Sequence, residues 1–209
     1  MTEQSLPASG WRGSRDGWLE AGYTALIESG VDAVKIMPLA RQLGLSRTSF
    51  YWFFDDREAL LAALLDGWAA RTTEPLVAAT RHYAETQAEA MLNVIGCFLS
   101  KDTFDSRLEF AIRSWALQDQ DVARRVQAAD AARLSALTAM MRHWGHEPGE
   151  ADVRARTVYL VQIGYISMQA REDLKTRLAR IPTYVEIYTG SRPEPREMAR
   201  FTARFQGTD

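Results

Sequence analysis

The stretch from Ile36 to Phe54 constrains the fold more than any other part of this chain, because it joins two helical signatures through a glycine. Its first half places apolar residues at the spacing that puts them on one face of an α-helix, namely Ile36, Leu39, Ala40 and Leu43. Gly44 follows at the C-cap of this helix, where the left-handed backbone conformation favours glycine. Ser46 is a good N-cap for a second helix. The stretch therefore predicts two short helices joined by a tight turn, which is a helix-turn-helix.

The second helix of this motif has two different faces. Three phenylalanines cluster on one side at about 100° per residue, namely Phe50, Phe53 and Phe54. The opposite side carries Arg47, Thr48, Tyr51 and Trp52. Outward-facing tyrosine and tryptophan rings are costly to leave in water, and phosphate and sugar surfaces could cover them while accepting their O–H and N–H hydrogen bonds. The first turn, with Arg47, Thr48 and Ser49, is the end of such a helix that reaches base edges in the major groove.

The charge near this motif supports nucleic-acid binding, whereas the overall charge does not. Between Ala33 and Phe54 there are three basic residues, Lys35, Arg41 and Arg47, and no acidic one. The whole chain carries a formal net charge of -2. A local positive patch attracts phosphates even when the protein as a whole is not basic. The pattern alone leaves open a second interpretation, a generic hairpin of two helices inside a helical core.

Residues 15–72 resemble the DNA-binding domain of the TetR family of bacterial transcriptional regulators. The resemblance is carried by residues 30–34, 39–47, 49–54 and 56–61. It implies DNA contacts by Arg47, Thr48, Ser49, Tyr51, Trp52 and Arg57. In this family the two aromatic residues hold the DNA backbone, the three before them face base edges or nearby phosphates, and Arg57 lies near a phosphate at the start of the fourth helix. Lys35 stands where the family usually has Thr or Ser, and its ammonium could reach a phosphate directly.

Other positions depart from the family pattern. Met37 stands where many relatives carry a polar or basic side chain, Phe53 replaces a frequent histidine, and Asp55 replaces a frequent lysine. An acidic residue near the DNA backbone weakens binding. These departures keep an alternative open, namely a helical dimeric small-molecule-binding or interaction protein that has lost DNA binding.

The rest of the chain repeats apolar residues at helical spacing, and no segment shows sustained strand alternation. We therefore predict an all-α protein with a flexible N-terminal tail (1–13), a helix-turn-helix DNA-binding domain of three helices plus the start of a fourth (14–72), and a C-terminal ligand-binding and dimerisation domain (73–209). The boundary is predicted at Thr72–Pro75. The single cysteine, Cys97, fits a reducing compartment. No apolar run is long enough for a membrane span and no secretion signal is evident, so a cytoplasmic location is expected.

An enzyme is the least supported class. The three histidines are His82, His143 and His146, and no Cys/His metal spacing, phosphate-cradling glycine loop or nucleophile motif appears. We therefore predict no catalytic residues, no metal and no cofactor.

The segment from Val158 to Met168 is apolar nearly all round, so its helix must be covered on more than one side. A second subunit could provide the cover, and a fully buried helix within one chain is the alternative. TetR relatives dimerise through two C-terminal helices that pair into a four-helix bundle. The predicted interface residues are Val161, Gly164, Tyr165, Met168, Val185 and Tyr188.

The resemblance also implies an effector cavity in the C-terminal domain. Candidate lining residues on the central helices are Phe98, Phe110, Arg113, Trp115, Tyr159 and Gln162. Arg113 lies on an otherwise apolar stretch and could hold an acidic group of a ligand. It could equally pair with a nearby carboxylate, and the aromatic residues could simply belong to the core.

Together these features predict a homodimeric, ligand-responsive DNA-binding transcriptional regulator. Its partners would be a palindromic double-stranded operator, a second copy of the chain and an unidentified small molecule. Two recognition helices about 34–36 Å apart would match successive major grooves. The expected activity is repression, released when the small molecule binds.

Overall fold

The computed structural model describes residues 13–205, and within them it contains helices and no strands, which confirms the all-α prediction. The predicted tail lies outside the described residues, apart from Gly13. The helices are α1 (Arg15–Ser29), α2 (Ile36–Leu43), α3 (Arg47–Phe50), α4 (Arg57–Ala79), α5 (Gln87–Leu99), α6 (Ser106–Ala116), α7 (Gln120–His143), α8 (Pro148–Ser167), α9 (Leu174–Thr189) and α10 (Pro195–Ala203). A short 3-10 helix at Val31–Ala33 precedes α2.

The described residues divide into two compact units, with the division between Gly67 and Trp68. The predicted boundary at Thr72–Pro75 falls inside α4, which continues through Pro75 to Ala79. Buried residues on this part of the helix explain its continuity, because Thr72 and Leu76 are both fully buried within the second unit. The domain limits 14–72 and 73–209 stay a prediction.

The first unit is built around α1. Ser14 caps this helix by accepting a hydrogen bond from the Gly17 amide at 3.0 Å. The Trp18 ring is fully buried and meets Phe50 edge-on at 5.2 Å. This contact packs α3 directly against α1.

The start of α4 is held against α1 by one tyrosine. The Tyr23 hydroxyl donates to the Leu64 carbonyl at 3.1 Å. Gly67 makes room for that hydroxyl, since a Cβ at this position would lie 2.0 Å from the tyrosine oxygen. The sequence alone gives no sign of this requirement, because the tyrosine and the glycine lie on different helices.

The second unit has its core among α5, α7, α8 and α9. Helix α9 runs uninterrupted with Pro182 inside it. Helix α8 is covered on one face only, because Val153 and Leu160 remain exposed on the other. Within this chain, therefore, α8 is not the fully buried helix of the alternative interpretation. No helix among the described residues is long and apolar enough to span a membrane.

Candidate DNA-binding interface and effector cavity

The turn of the helix-turn-helix is fixed by backbone hydrogen bonds and one side chain. Gly44 adopts the left-handed conformation with φ of 66°. The next amide, that of Leu45, reaches back to the Ala40 carbonyl at 2.8 Å, which closes the end of α2. Ser46 then accepts a hydrogen bond from the Ser49 amide at 3.3 Å and begins α3. Both predicted caps are therefore confirmed.

Helix α3 is shorter than predicted. Its regular part ends at Phe50, and residues 51–53 form a turn that is still tied to it, since the Phe54 amide bonds to the Phe50 carbonyl at 3.1 Å. Phe50 and Phe54 are buried with ring centroids 5.5 Å apart, while Phe53 is only half-buried. The prediction of an inward phenylalanine face is thus correct for two of its three residues.

The aromatic pair that follows faces solvent. Tyr51 is 44% exposed and Trp52 is 65% exposed. The Arg47 guanidinium lies over the Tyr51 ring, 5.6 Å from its centroid, and its Nη2 donates to the Tyr51 hydroxyl at 2.8 Å. Because the phenol oxygen accepts this bond, its own O–H stays available to donate to another acceptor. Thr48 and Lys35 are also exposed.

Ser49 is an exception among the predicted contact residues. Its side chain is buried, and its hydroxyl donates to the Ser46 carbonyl at 2.7 Å. A hydroxyl used inside the turn is not presented to a base edge. We therefore leave Ser49 out of the proposed interface, which corrects the expectation from the resemblance.

Arg57 also has internal partners. Its Nε donates to the Val34 carbonyl at 2.6 Å and its Nη2 to the Val31 carbonyl at 2.9 Å. Its Nη1 pairs with Glu58 at 3.1 Å. The guanidinium thus ties the start of α4 to the 3-10 helix and the loop before α2. A phosphate would have to compete with these three acceptors, so we do not include Arg57 in the proposed interface.

The start of α4 is capped by an aspartate. Asp56 accepts a hydrogen bond from the Ala59 amide at 2.7 Å. Glu58, in the first turn, is paired with Arg57. The carboxylate of Asp55 stays exposed just after the aromatic turn.

The fold of the first unit and its exposed basic and aromatic side chains define a helix-turn-helix DNA-binding domain. Residues 19–64, which include the whole motif, match the family model described as "Bacterial regulatory proteins, tetR family". The similarity to this family therefore rests on residues 19–64, within the first unit.

Solved structures of similar fold extend the comparison to both units. Salmonella enterica GusR superposes with a TM-score of 0.63 at 15% sequence identity, covering 84% of this chain and 93% of that one. A transcriptional regulator from Rhodococcus sp. Rha1 gives 0.59 at 17% identity, covering 92% and 97%. Mycobacterium smegmatis AmtR gives 0.58 at 18% identity, covering 97% and 98%. At these identities the likeness shows the fold alone. A search of curated proteins gives no significant match.

In the second unit, the structure does not bring the six candidate effector residues around one cavity. Phe98 and Gln162 line a cavity between α5, α8 and α9. Trp115 is buried in the unit and Phe110 packs against its core. The remaining two, Arg113 and Tyr159, belong to a network of ion pairs and hydrogen bonds.

This ionic network joins α4, α6, α7 and α8. At its centre Arg133 and Glu109 are both fully buried, with Nη1 and Oε1 2.8 Å apart. Arg113 pairs with the same carboxylate at 2.8 Å and with Asp130 at 2.5 Å. The Tyr159 hydroxyl donates to Asp130 at 2.6 Å. Two guanidinium groups thus balance two carboxylates, as burial of charge requires.

Two consequences follow for the predicted pocket. Arg113 is paired with carboxylates, so the second interpretation of this residue, and not that of a free ligand-binding cation, fits the structure. Burial raises the pKa of Tyr159, and the neighbouring carboxylates of Asp130 and Glu109 raise it too, although Arg133 opposes them. The hydroxyl therefore stays protonated and serves as a donor.

Sequence reasoning missed the other members of this network, Trp68, Glu109, Asp130 and Arg133. The Trp68 indole N–H donates to Glu109 Oε2 at 2.7 Å. The available signal was the i, i+4 spacing of Glu109 and Arg113 on an otherwise apolar helix. That spacing does not reveal partners on other helices.

The predicted dimer residues differ in how far they are exposed. Val185 and Tyr188 are buried within the unit, and Tyr165 and Val161 line the cavity together with Tyr188. Gly164 is half-buried and Met168 is exposed. The large apolar side chains that α8, its C-cap and α9 leave exposed are Val153, Leu160, Met168, Leu174 and Ile187, and of these only Met168 is a predicted interface residue.

Proposed function

We propose that this protein is a homodimeric repressor that binds a palindromic double-stranded DNA operator and leaves it when a small-molecule effector binds. The observation that carries the DNA-binding part is the exposed pair of Tyr51 and Trp52 beside Arg47. In water, two large exposed rings and a guanidinium at one end of a recognition helix contribute little to the stability of the protein. Against a phosphate backbone they supply a cation, an O–H donor and apolar cover at once.

The proposed contact residues have different roles, which depend on where each one lies in the helix-turn-helix. Tyr51 and Trp52 would hold the backbone, and Arg47 and Thr48, in the first turn of α3, would reach base edges or the nearest phosphates. Lys35, exposed before α2, would bind a phosphate as a point charge. Phosphate contacts set affinity and salt dependence, while base contacts set sequence preference.

The exposed apolar face of α8 and α9 supports the dimer. Val153 and Leu160 are 62% and 60% exposed and lie seven residues apart, and Ile187 on α9 is 60% exposed. Residues seven apart share a helix face. Burying one such side chain is worth about 1.5–3 kcal/mol, and a two-fold interface buries each of them twice. A second copy of the chain is therefore the proposed cover.

Release by an effector needs a difference in affinity between two conformations. In one conformation of the dimer the two recognition helices would match successive major grooves, and in the other they would not. A ligand that binds the second unit better in the second conformation shifts the dimer towards it and so away from DNA binding. A ligand of equal affinity for both conformations would shift nothing.

The test is a titration of the purified protein with its own upstream DNA and with random DNA, at several salt concentrations. We expect sequence-preferring binding that weakens as salt rises. Tyr51→Ala should weaken binding to both DNAs by about tenfold, because it removes a backbone contact worth roughly 1.5 kcal/mol. Tyr83→Ala is the matched control, since Tyr83 is an exposed tyrosine of the second unit. Salt-independent binding, or equal affinity of the Tyr51→Ala variant, would contradict the proposal.

One observation favours the alternative of a helical sensor without DNA binding. Asp55 is exposed immediately after the aromatic turn, and its charge repels phosphates. The same titration separates the two functions, because a protein that dimerises and binds a small molecule but ignores every DNA would fit only the alternative.

A further inference from the structure

The first turn of α3 contains three polar side chains, Arg47, Thr48 and Ser49. In a recognition helix this turn enters the major groove and reaches base edges. Hydrogen bonds inside the protein limit what each of the three side chains can still do there. One of them is directed away from the turn, one is used within the turn, and one stays available.

Arg47 is the side chain that is directed away from the first turn. Its Nε and Nη2 donate to the Tyr51 hydroxyl oxygen at 3.2 Å and 2.8 Å, and the guanidinium lies 5.6 Å from the centroid of the Tyr51 ring. Because Tyr51 follows four residues later, it lies about 6 Å further along the helix axis. The Arg47 side chain therefore extends towards the C-terminal end of α3. Its Nε and Nη2 edge, one of those with which arginine makes two parallel hydrogen bonds, is already used.

The same two hydrogen bonds hold the Tyr51 hydroxyl group in place. An oxygen that accepts from a guanidinium keeps its own O–H for donation, and the bond it accepts polarises that O–H. Tyr51 is 44% exposed, so a phosphate oxygen can approach the hydroxyl group from solvent. A tyrosine held in this way binds a phosphate with less loss of conformational freedom than one that rotates freely.

Thr48 is the first-turn side chain that stays available. Ser49 is buried, and its hydroxyl donates to the Ser46 carbonyl at 2.7 Å. Thr48 is exposed, and its hydroxyl makes no hydrogen bond to any residue in 13–205. A threonine can meet a base edge through its hydroxyl and a thymine through its methyl group. Of the three side chains, Thr48 is thus the one placed to read a base.

We infer that Arg47 is a positioning residue and that Thr48 determines specificity. Arg47 acts on DNA through Tyr51, by holding the phenol against a phosphate, and so contributes equally to every DNA sequence. Thr48 contributes chiefly to the operator. Both roles rest on the proposed function, since they require that the protein binds DNA. They differ from the expectation that the resemblance implied, in which all three first-turn side chains face base edges or nearby phosphates.

The experiment is a double-mutant cycle on Arg47 and Tyr51 in the full-length protein, measured by titration with the upstream DNA and with random DNA of the same length. The variants are Arg47→Met, Tyr51→Phe, which keeps the ring and removes the hydroxyl, and their combination. Each single change should weaken binding to both DNAs by about threefold to tenfold. The combination should be no more than about twofold weaker than the weaker single variant, because both changes disable the same phosphate contact.

The ratio of operator affinity to random-DNA affinity separates a positioning role from base reading. Arg47→Met should leave this ratio unchanged within about twofold, whereas Thr48→Ala should lower it by about threefold to tenfold. A general distortion of α3 would lower the ratio for Arg47→Met as well. Arg41→Met is the matched control, since Arg41 is an exposed arginine of α2 and its effect should add to that of Tyr51→Phe. Urea unfolding checks that every variant is folded.

The outcomes distinguish these roles from the proposed function. Sub-additive effects of Arg47→Met and Tyr51→Phe, together with a ratio that Thr48→Ala lowers and Arg47→Met does not, support both roles. Additive effects, or a ratio that falls with Arg47→Met, overturn the positioning role, because Arg47 would then make a contact of its own. A ratio that Thr48→Ala leaves unchanged overturns the specificity role. Wild-type protein that binds neither DNA refutes the proposed function and both roles with it, whereas additivity in a protein that binds DNA refutes the positioning role alone.

Discussion

Arg47 and Tyr51 form a prearranged pair at the end of the recognition helix. The guanidinium donates to the phenol oxygen through Nε at 3.2 Å and Nη2 at 2.8 Å. Immobilising a long side chain on binding costs about 0.5–1.5 kcal/mol, and a pair held in place beforehand avoids part of that cost. If both side chains contact DNA as proposed, this arrangement would lower the entropic cost of forming those contacts.

Arg57 stabilises the fold, although the resemblance implied that it binds a phosphate of DNA. Arg57→Met removes charge-assisted hydrogen bonds to the carbonyls of Val31 and Val34. We expect the free energy of unfolding to fall by about 2–3 kcal/mol, as measured by urea denaturation. The slope of log affinity for DNA against log salt should stay unchanged, because no phosphate is neutralised by this residue.

Arg41→Met provides the control for this prediction. Arg41 is an exposed basic residue on α2, so its replacement should change stability by no more than about 0.5 kcal/mol. A stable Arg57→Met variant with a salt slope reduced by about one would restore the phosphate role implied by the resemblance.

Among the elements, α10 is attached to α5 by carboxylates. Glu89 accepts hydrogen bonds from the Glu85 amide at 2.9 Å and from Arg200 at 2.7 Å. Thr86, the N-cap of α5, donates to Glu197 on α10 at 2.6 Å. The backbone amide of Glu85 and then the Arg200 guanidinium hold the pKa of Glu89 below its ordinary value.

This shift predicts a pH dependence. Because the native pKa of Glu89 is lowered, its contribution is present above the ordinary value of 4.5 and is lost as pH falls through the native pKa. Glu89→Gln should therefore cost about 1–2 kcal/mol in unfolding free energy at pH 7 and much less at pH 3. Urea denaturation at both values measures the difference, with the exposed Glu74→Gln as control. A constant difference at the two pH values would argue against the role of the charge.

The ionic network acts on four elements at once, because Arg133 on α7 reaches Glu109 on α6, Tyr159 on α8 and Thr72 on α4. Removing one member leaves the others buried and charged. Arg133→Met should therefore cost about 3–5 kcal/mol. Glu109→Gln should cost less in the Arg133→Met background than in the wild type, by at least about 1 kcal/mol, since the pair is coupled.

A double-mutant cycle by urea denaturation measures this coupling, with the exposed Arg107→Met paired with Glu109→Gln as the uncoupled control. Strict additivity of Arg133→Met and Glu109→Gln would mean that the buried pair contributes no interaction energy beyond that of its separate members.

For the whole molecule, the proposed dimer predicts that an exposed leucine of the second unit, Leu160, controls DNA binding by the first unit. Leu160→Glu places a charge on the apolar face of α8 and should convert the protein to a monomer. Loss of the partner should weaken operator binding by about a hundredfold or more, because two linked recognition helices bind together. Sedimentation equilibrium gives the mass, and the DNA titration gives the affinity.

Leu117→Glu is the matched control, since Leu117 is equally apolar and still more exposed, but lies between α6 and α7. It should remain dimeric and bind the operator normally. A wild-type protein that is monomeric, or a Leu160→Glu variant that stays dimeric, would refute the proposed dimer face.

Local interactions explain what could be predicted from the sequence. The caps at Ser14, Gly44 and Ser46 each depend on groups within five residues, so the sequence window contains both partners. The bounds of α2 and the inward positions of Phe50 and Phe54 follow from periodicity in the same way. The helix-turn-helix was accordingly the most predictable part of the protein.

Partner choice over longer distances was decided only by the tertiary structure. Arg57 turns to carbonyls 23 and 26 residues away, Arg133 meets a carboxylate 24 residues away, and Tyr188 lines a cavity with residues of two other helices. Periodicity tells that a side chain is on the inner or outer face of its helix, but not which group on another helix it will meet. The local sequence thus determined the helices and their ends, and the packing of those helices determined which charged and aromatic side chains are paired inside the protein and which remain exposed.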